Sequence, residues 1–180
     1  LLLSSGTGLA QLLNILLSPI ITRIYSPDEY GLLTVYTALL GTLAIIGSLK
    51  YESAIPIAEN DEKAINVLML SLVVLVMTVG IITLVVVFFG KSFLPLFNAE
   101  GLYDYRILIP LGIFLSGLYN VISKWALRKR DFYSISKTKL NQSFFSNGIK
   151  ISIGLFHLGP IGLILGNIIG TSAGITTLSR

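Results

Sequence analysis

The stretch AINVLMLSLVVLVMTVGIITLVVVFFG, residues 64–90, contains 27 residues and no charge. A helix needs roughly 20 apolar residues to cross the hydrocarbon of a bilayer about 30 Å thick. This run exceeds that length and has room for tilt. A soluble helix alternates apolar and polar faces, whereas this one is apolar all round. Its natural solvent is lipid.

Working outward, charges punctuate the rest of the chain at similar spacing. Residues 1–21, 31–49 and 160–179 carry no charge, and 107–123 is a shorter uncharged run bounded by Arg106 and Lys124. A further segment, 140–156, contains Asn141, Gln142, Asn147 and Lys150. Its Ser143, Asn147, Lys150 and Gly154 fall at helical spacing, with Phe144, Phe145, Ile149, Ile151 and Ile153 mostly opposite. That pattern suits a helix with one side toward protein or a watery cavity and the other toward lipid. The sequence therefore predicts an all-α integral membrane protein, a bundle of about six transmembrane helices. Composition agrees: hydrophobic residues are 53% and charged residues 12% of the chain, against about 25% charged in soluble domains. Outer-membrane barrels show alternating segments of about ten residues, and none occurs here. Position 1 is Leu inside an apolar run, and the chain reads as a fragment of something longer. A signal peptide explains the first segment poorly, since no basic region precedes it and equally long apolar segments follow.

Orientation follows from the loops, because Lys and Arg are retained on the cytoplasmic side. The connection KWALRKRDFYSISKTK, 124–139, holds Lys124, Arg128, Lys129, Arg130, Lys137 and Lys139 against Asp131 alone. Placing it inside puts Lys50, Lys63, the N-terminus and Arg180 inside too, leaving Arg23, Lys91 and Arg106 outside. The basic connection also suits acidic lipid head groups, and nucleic-acid binding is not expected.

Chemistry is sparse. The chain has no cysteine and a single histidine, His157, with no acidic cluster beside it. No disulfide, metal site or cofactor is expected. Catalytic signatures such as G-x-S-x-G, a P-loop or H-E-x-x-H are absent, and the reading is not an enzyme. The polar groups at membrane depth are then the candidates. Lys150 either offers positive charge to an anionic substrate or snorkels into a structural ion pair. Arg23, in SPIITRIYSPDEYG, either attracts a phosphate or anchors a helix end beside Asp28 and Glu29. Gln11 and Asn14 share a helix face and suit either sugar hydroxyls or interhelical hydrogen bonds. Lys50, Tyr51 and Glu52 close the second helix and form either an inner gate or an interfacial anchor. Gly162, Gly166, Gly170 and Gly174 recur every four residues, a small-xxx-small pattern that predicts close helix packing.

Four stretches in order, SPIITRIYSPDEYG, LKYESAIPIAENDEKAINVLMLS, WALRKRDFYSISKTKLNQSFFSNGIKI and GPIGLILGNIIG, resemble the N-terminal half of bacterial polysaccharide flippases. These are the O-antigen and exopolysaccharide translocases of the multidrug/oligosaccharidyl-lipid/polysaccharide exporter superfamily. The resemblance implies the N-terminal lobe of a two-lobed, MATE-like transporter whose second lobe lies outside this chain. It implies a bacterial inner-membrane location and a lipid-linked oligosaccharide, carried on undecaprenyl pyrophosphate, as substrate. It also implies a central cavity of alternating access, basic residues there that meet the pyrophosphate, and polysaccharide polymerase and chain-length machinery as partners. On this chain the cationic role would fall on Arg23 and Lys150. A cation-coupled drug exporter of the same superfamily is the nearest alternative, though it would favour buried carboxylates in the helices. A membrane glycan polymerase or ligase would need catalytic residues in a large external loop. A structural membrane subunit would leave the polar fifth segment unexplained.

Overall fold

The structure is a computed structural model and describes the backbone of residues 2–48 and 50–178 and the side chains of residues 6–44 and 50–178. The expected helix limits at Leu1, Leu49 and Ser179, and the inside charge at Arg180, lie outside the described residues. Six long helices succeed one another: α1 (Leu2–Ile24), α2 (Pro27–Ser48), α3 (Asp61–Phe93), α4 (Leu108–Arg128), α5 (Phe132–Gly154) and α6 (Ile161–Leu178). Short 3₁₀ segments fill the connections at Tyr51–Ile57, Leu94–Phe97 and Glu100–Tyr105. Among the described residues there is no strand.

Among the described residues, four stretches are long and apolar enough to cross a membrane: Gly6–Ile24, Asp61–Phe97, Leu108–Arg128 and Ile161–Leu178. The surface supports lipid as the solvent. Met77, Ile81, Leu84, Phe88 and Phe89 of α3 are all exposed, and so continuous an apolar face is rare on a soluble monomer. In α5 the usual pattern is inverted: Phe144 is 67% exposed while Asn147 is 4% exposed. The chain is an all-α membrane protein.

Helix limits depart from the uncharged runs because capping groups, not the edges of apolar runs, start these helices. Ser26 and Glu29 form a capping box around Pro27. The Ser26 N–H donates to Glu29 Oε2 at 2.7 Å, and the Glu29 N–H donates to Ser26 Oγ at 3.3 Å. Proline at the first helical position has no N–H to leave unpaired. Hence α2 starts at Pro27 rather than 31. Asn60 caps α3, accepting from the Lys63 N–H at 2.8 Å, and Asp61 and Glu62 then face the positive helix end. Asp131 caps α5, accepting from the Ser134 N–H at 3.0 Å. So α5 begins at Phe132 rather than 140, and Lys137 and Lys139 ride on it.

The connection that follows α4 is correspondingly short. Arg130 takes a left-handed conformation, φ 56°. Its N–H reaches Leu127 O, and the next N–H, of Asp131, reaches Ala126 O at 3.0 Å. This paired pattern closes the last turn of a helix and satisfies its terminal carbonyls.

The chain divides into two compact units, residues 34–125 and the remainder. Within 34–125, Tyr36 is fully buried, and its hydroxyl donates to Leu108 O at 2.9 Å. The Tyr36 ring lies against Gly112, where a Cβ would meet Cζ at 3.2 Å. Leu75 of α3 likewise lies over Gly117 of α4. Glycines thus make the hollows that receive large side chains from neighbouring helices.

Candidate functional site

The other unit contains α1, α5 and α6, with α5 packed against both partners. Three contacts fix how α1 and α5 run. Gly6 lies against Ser136, Asn14 bonds Ser143 and Asn147, and Tyr25 bonds the Lys150 carbonyl. Ascending numbers pair with ascending numbers, so α1 and α5 are parallel. Against α6 the order reverses: Gly162 meets Ile153, Gly166 meets Lys150 and Ser146, Gly170 meets Ser146, and Gly174 meets Gln142 and Thr138.

These four glycines are buried. A Cβ built on Gly166 would stand 2.9 Å from Ser146 O, and one on Gly170 would stand 2.7 Å from Ser146 Cβ and 3.1 Å from Gln142 O. Two of those neighbours are main-chain atoms, which cannot swing aside. The α6 backbone therefore rests directly on α5.

Between α1 and α5 lies a small polar cluster. Asn14 Oδ1 accepts from Ser143 Oγ at 2.7 Å and from Asn147 Nδ2 at 2.6 Å. Ser143 Oγ also approaches Ala10 O at 3.1 Å. Ser143 and Asn147 are buried, where a polar group without a partner is costly. Asn14 is exposed on its outer side, yet its oxygen is committed to α5. On the α6 side, Asn141 Nδ2 donates to Thr177 Oγ1 at 3.0 Å.

Lys150 sits one helical turn beyond Asn147 on the same face. Its stem crosses Gly166, where an added Cβ would lie 2.5 Å from Lys150 Cγ and 3.3 Å from Cε. Among the described residues its ammonium has no hydrogen bond or ion pair. The Lys150 carbonyl accepts from the Tyr25 hydroxyl at 2.7 Å. Tyr25 is buried with Ile21 and Leu163 in a small apolar cluster. Burial, and after it the Glu29 carboxylate, raise the Tyr25 hydroxyl above the ordinary phenol pKa, so it remains a donor.

The remaining candidates are dispersed. Arg23 is exposed in the last turn of α1, at the end where Tyr25 meets Lys150. Glu29 is engaged with Ser26, and Arg23 makes no ion pair with it or with Asp28 among the described residues. Gln11 is exposed on α1. Lys50, Tyr51 and Glu52 belong to the other unit. There Lys50 is exposed at φ 53°, Tyr51 is 41% exposed, and Glu52 is buried in the following 3₁₀ segment. The structure thus groups Asn14 with the α5 polar face and Lys150 with Gly166.

Tyr25, Ser143 and Asn147 were not singled out as site residues from sequence. The spacing of Ser143 and Asn147 along α5 carried a signal for them. Tyr25 carried none, since its partner is a main-chain atom 125 residues away.

The seam offers hydroxyl and amide groups that satisfy one another and, among the described residues, a cation without a hydrogen-bond or ion-pair partner. No curated protein and no solved structure is a significant match to the chain. A family model described as polysaccharide biosynthesis protein matches residues 20–178. That match extends through α2 to α6 and the last turn of α1, and the chain belongs to the polysaccharide biosynthesis protein family.

Proposed function

We propose that the chain is the N-terminal lobe of a flippase that moves an undecaprenyl-pyrophosphate-linked oligosaccharide across the bacterial inner membrane. The observation that carries this reading is the Lys150 ammonium, which lies beside the amide cluster of α5 and has no hydrogen bond or ion pair among the described residues. A sugar pyrophosphate cannot cross hydrocarbon unaided, because its charged and polar groups would lose water without replacement. A cavity of dispersed cations and amides supplies substitutes, while the lipid tail stays in the bilayer. Arg23, at the same end of the α1–α5 pair, would meet the phosphate on the outer side. Rocking against a second lobe would expose the site alternately to each face. The parallel run of α1 and α5, with α6 reversed, is what alternate crossing by these three helices requires, and the basic connection 124–139 supports the N-terminus inside. The surface-polysaccharide polymerase and chain-length proteins are the partners this step would serve.

A cation-coupled exporter of the same superfamily is favoured by one observation, the buried Glu52 carboxylate. Yet Glu52 lies in the connection after α2, and no Asp or Glu occurs beyond the first turn of any of the six helices. An anionic substrate suits that distribution better.

The test uses the full-length gene in its host. Deletion should make polyprenyl-pyrophosphate oligosaccharide accumulate while surface polysaccharide disappears. Complementation with Lys150→Arg should restore export, and Lys150→Gln combined with Arg23→Gln should not. Wild-type export by the doubly neutral variant would remove both residues from the mechanism. Unchanged lipid-linked sugars, with new sensitivity to cationic drugs, would favour the exporter.

A further inference from the structure

A second polar site lies at the C-terminal end of α3, in the unit of residues 34–125. Uncharged sequence ends at Gly90, and Lys91 stands in the last turn of α3. The chain then turns back through two 3₁₀ segments. Asn98 makes the reversal in a left-handed conformation, φ 51°. Its N–H reaches Pro95 O and the Ala99 N–H reaches Leu94 O, both at 3.0 Å. Leu94 and Leu102 are buried and pin the turn. The segment is therefore held in place rather than loosely draped.

This turn borders an open cavity of about 300 Å³ lined by Gly90, Lys91, Leu94, Pro95, Glu100 and Tyr103. Two cations gather on one ring. The Arg106 guanidinium lies 4.4 Å from the Tyr103 ring centroid and the Lys91 ammonium 5.7 Å from it. Arg106 Nη1 donates to Tyr103 O at 3.2 Å, but its Nε is buried with no hydrogen-bond partner. The guanidinium thus carries an N–H that no acceptor among the described residues takes up, beside the Tyr103 ring that lines the cavity. Glu100, at the same cavity, forms no ion pair with either cation among the described residues.

We infer that this cavity binds the head group of a zwitterionic phospholipid bearing a primary ammonium. The phosphate meets Lys91 and Arg106, and the ammonium meets Glu100 and the edge of the Tyr103 site. A bare phosphate would satisfy the cations but face the Glu100 carboxylate. A head group with both charges satisfies all three side chains. Leu94 and Pro95 give the glycerol an apolar floor, and the depth is right, at the boundary where α3 becomes polar. The site is separate from the α1–α5–α6 seam and does not depend on the flippase reading.

The chain, purified in mild detergent, is titrated with phosphatidylethanolamine, phosphatidylglycerol or phosphatidylcholine, and bound lipid is counted by native mass spectrometry. Wild type should retain phosphatidylethanolamine best. Lys91→Gln with Arg106→Gln removes two charge-assisted contacts and should weaken that retention by at least about tenfold. Glu100→Gln should instead turn the preference toward phosphatidylglycerol, a gain that misfolding does not produce. Equal retention of the three lipids, or an unchanged preference in Glu100→Gln, would overturn the proposal. Displacement of the lipid by millimolar inorganic phosphate would also overturn it and leave a simple anion site.

Discussion

The hydroxyl of Tyr25, at the end of α1, donates to the main-chain carbonyl of Lys150 at 2.7 Å. A Cβ on Gly154, the last residue of α5, would collide with the same ring, and one on Gly162 of α6 would collide with its hydroxyl. One side chain thus ties α1 to α5 and occupies the hollow that glycine leaves in α6. Tyr25→Phe keeps the ring and removes only the hydrogen bond. It should cost about 1 kcal/mol, read as a lower thermal midpoint in detergent. Gly162→Ala, which would drive the hydroxyl aside, should cost at least as much. No change in either variant would mean that the bond does not hold the helices.

The glycines of α5 and α6 give an internal contrast. Gly166→Ala places a methyl group 2.9 Å from Ser146 O, a main-chain atom, so the helices must part. Overpacking of this kind costs about 1–3 kcal/mol. Gly148, on α5, has nothing within 4 Å of its added Cβ. Gly148→Ala should be neutral or should stabilise by about 0.5–1 kcal/mol, since glycine is a poor helix residue. If both variants behave alike under thermal unfolding, the α5–α6 contact is not the cause.

Much of the fold was legible because membrane-spanning helices announce themselves by length and lack of charge. The run at 64–90 is unambiguous, and the four-residue glycine spacing of α6 falls on its contact with α5. The starts of α2 and α5 were harder. There the charged residues Asp28, Glu29 and Asp131 read as loop, whereas they are first-turn and capping groups that begin helices. The signals were present in Ser26-Pro27-Asp28-Glu29 and in Asp131 preceding Ser134. The candidate site was legible in part. The helical spacing of Ser143, Asn147 and Lys150 marks one face of α5, but which helix covers that face is a tertiary fact. The pairing of Tyr25 with a distant carbonyl leaves no pattern in the sequence at all.

The Asn14–Ser143–Asn147 cluster should behave as a unit. Asn14→Leu removes the shared acceptor and leaves Ser143 Oγ to Ala10 O and Asn147 Nδ2 to a longer bond, 3.3 Å, to Ser143 Oγ. Interhelical hydrogen bonds in membranes average about 0.6 kcal/mol and reach about 1.7 kcal/mol. A double-mutant cycle of Asn14→Leu and Asn147→Leu, followed by unfolding in detergent, should give a coupling in that range. Strictly additive losses would show that the two amides do not act on each other.

The cap of α5 predicts a pH dependence. Hydrogen bonds from Ser134, side chain first and main chain second, lower the pKa of the Asp131 carboxyl below its ordinary value. A group whose folded pKa is lowered binds fewer protons folded than unfolded. Its contribution is therefore complete above the unfolded carboxylate value, about 4, and disappears as pH falls through the folded value. Asp131→Asn preserves a good capping side chain but cannot titrate. The variant should match wild type closely near pH 7 and lose less stability as pH falls below about 4, as read from thermal midpoints in an acid-tolerant detergent. Parallel curves for the two proteins over that range would show that the cap does not titrate with folding.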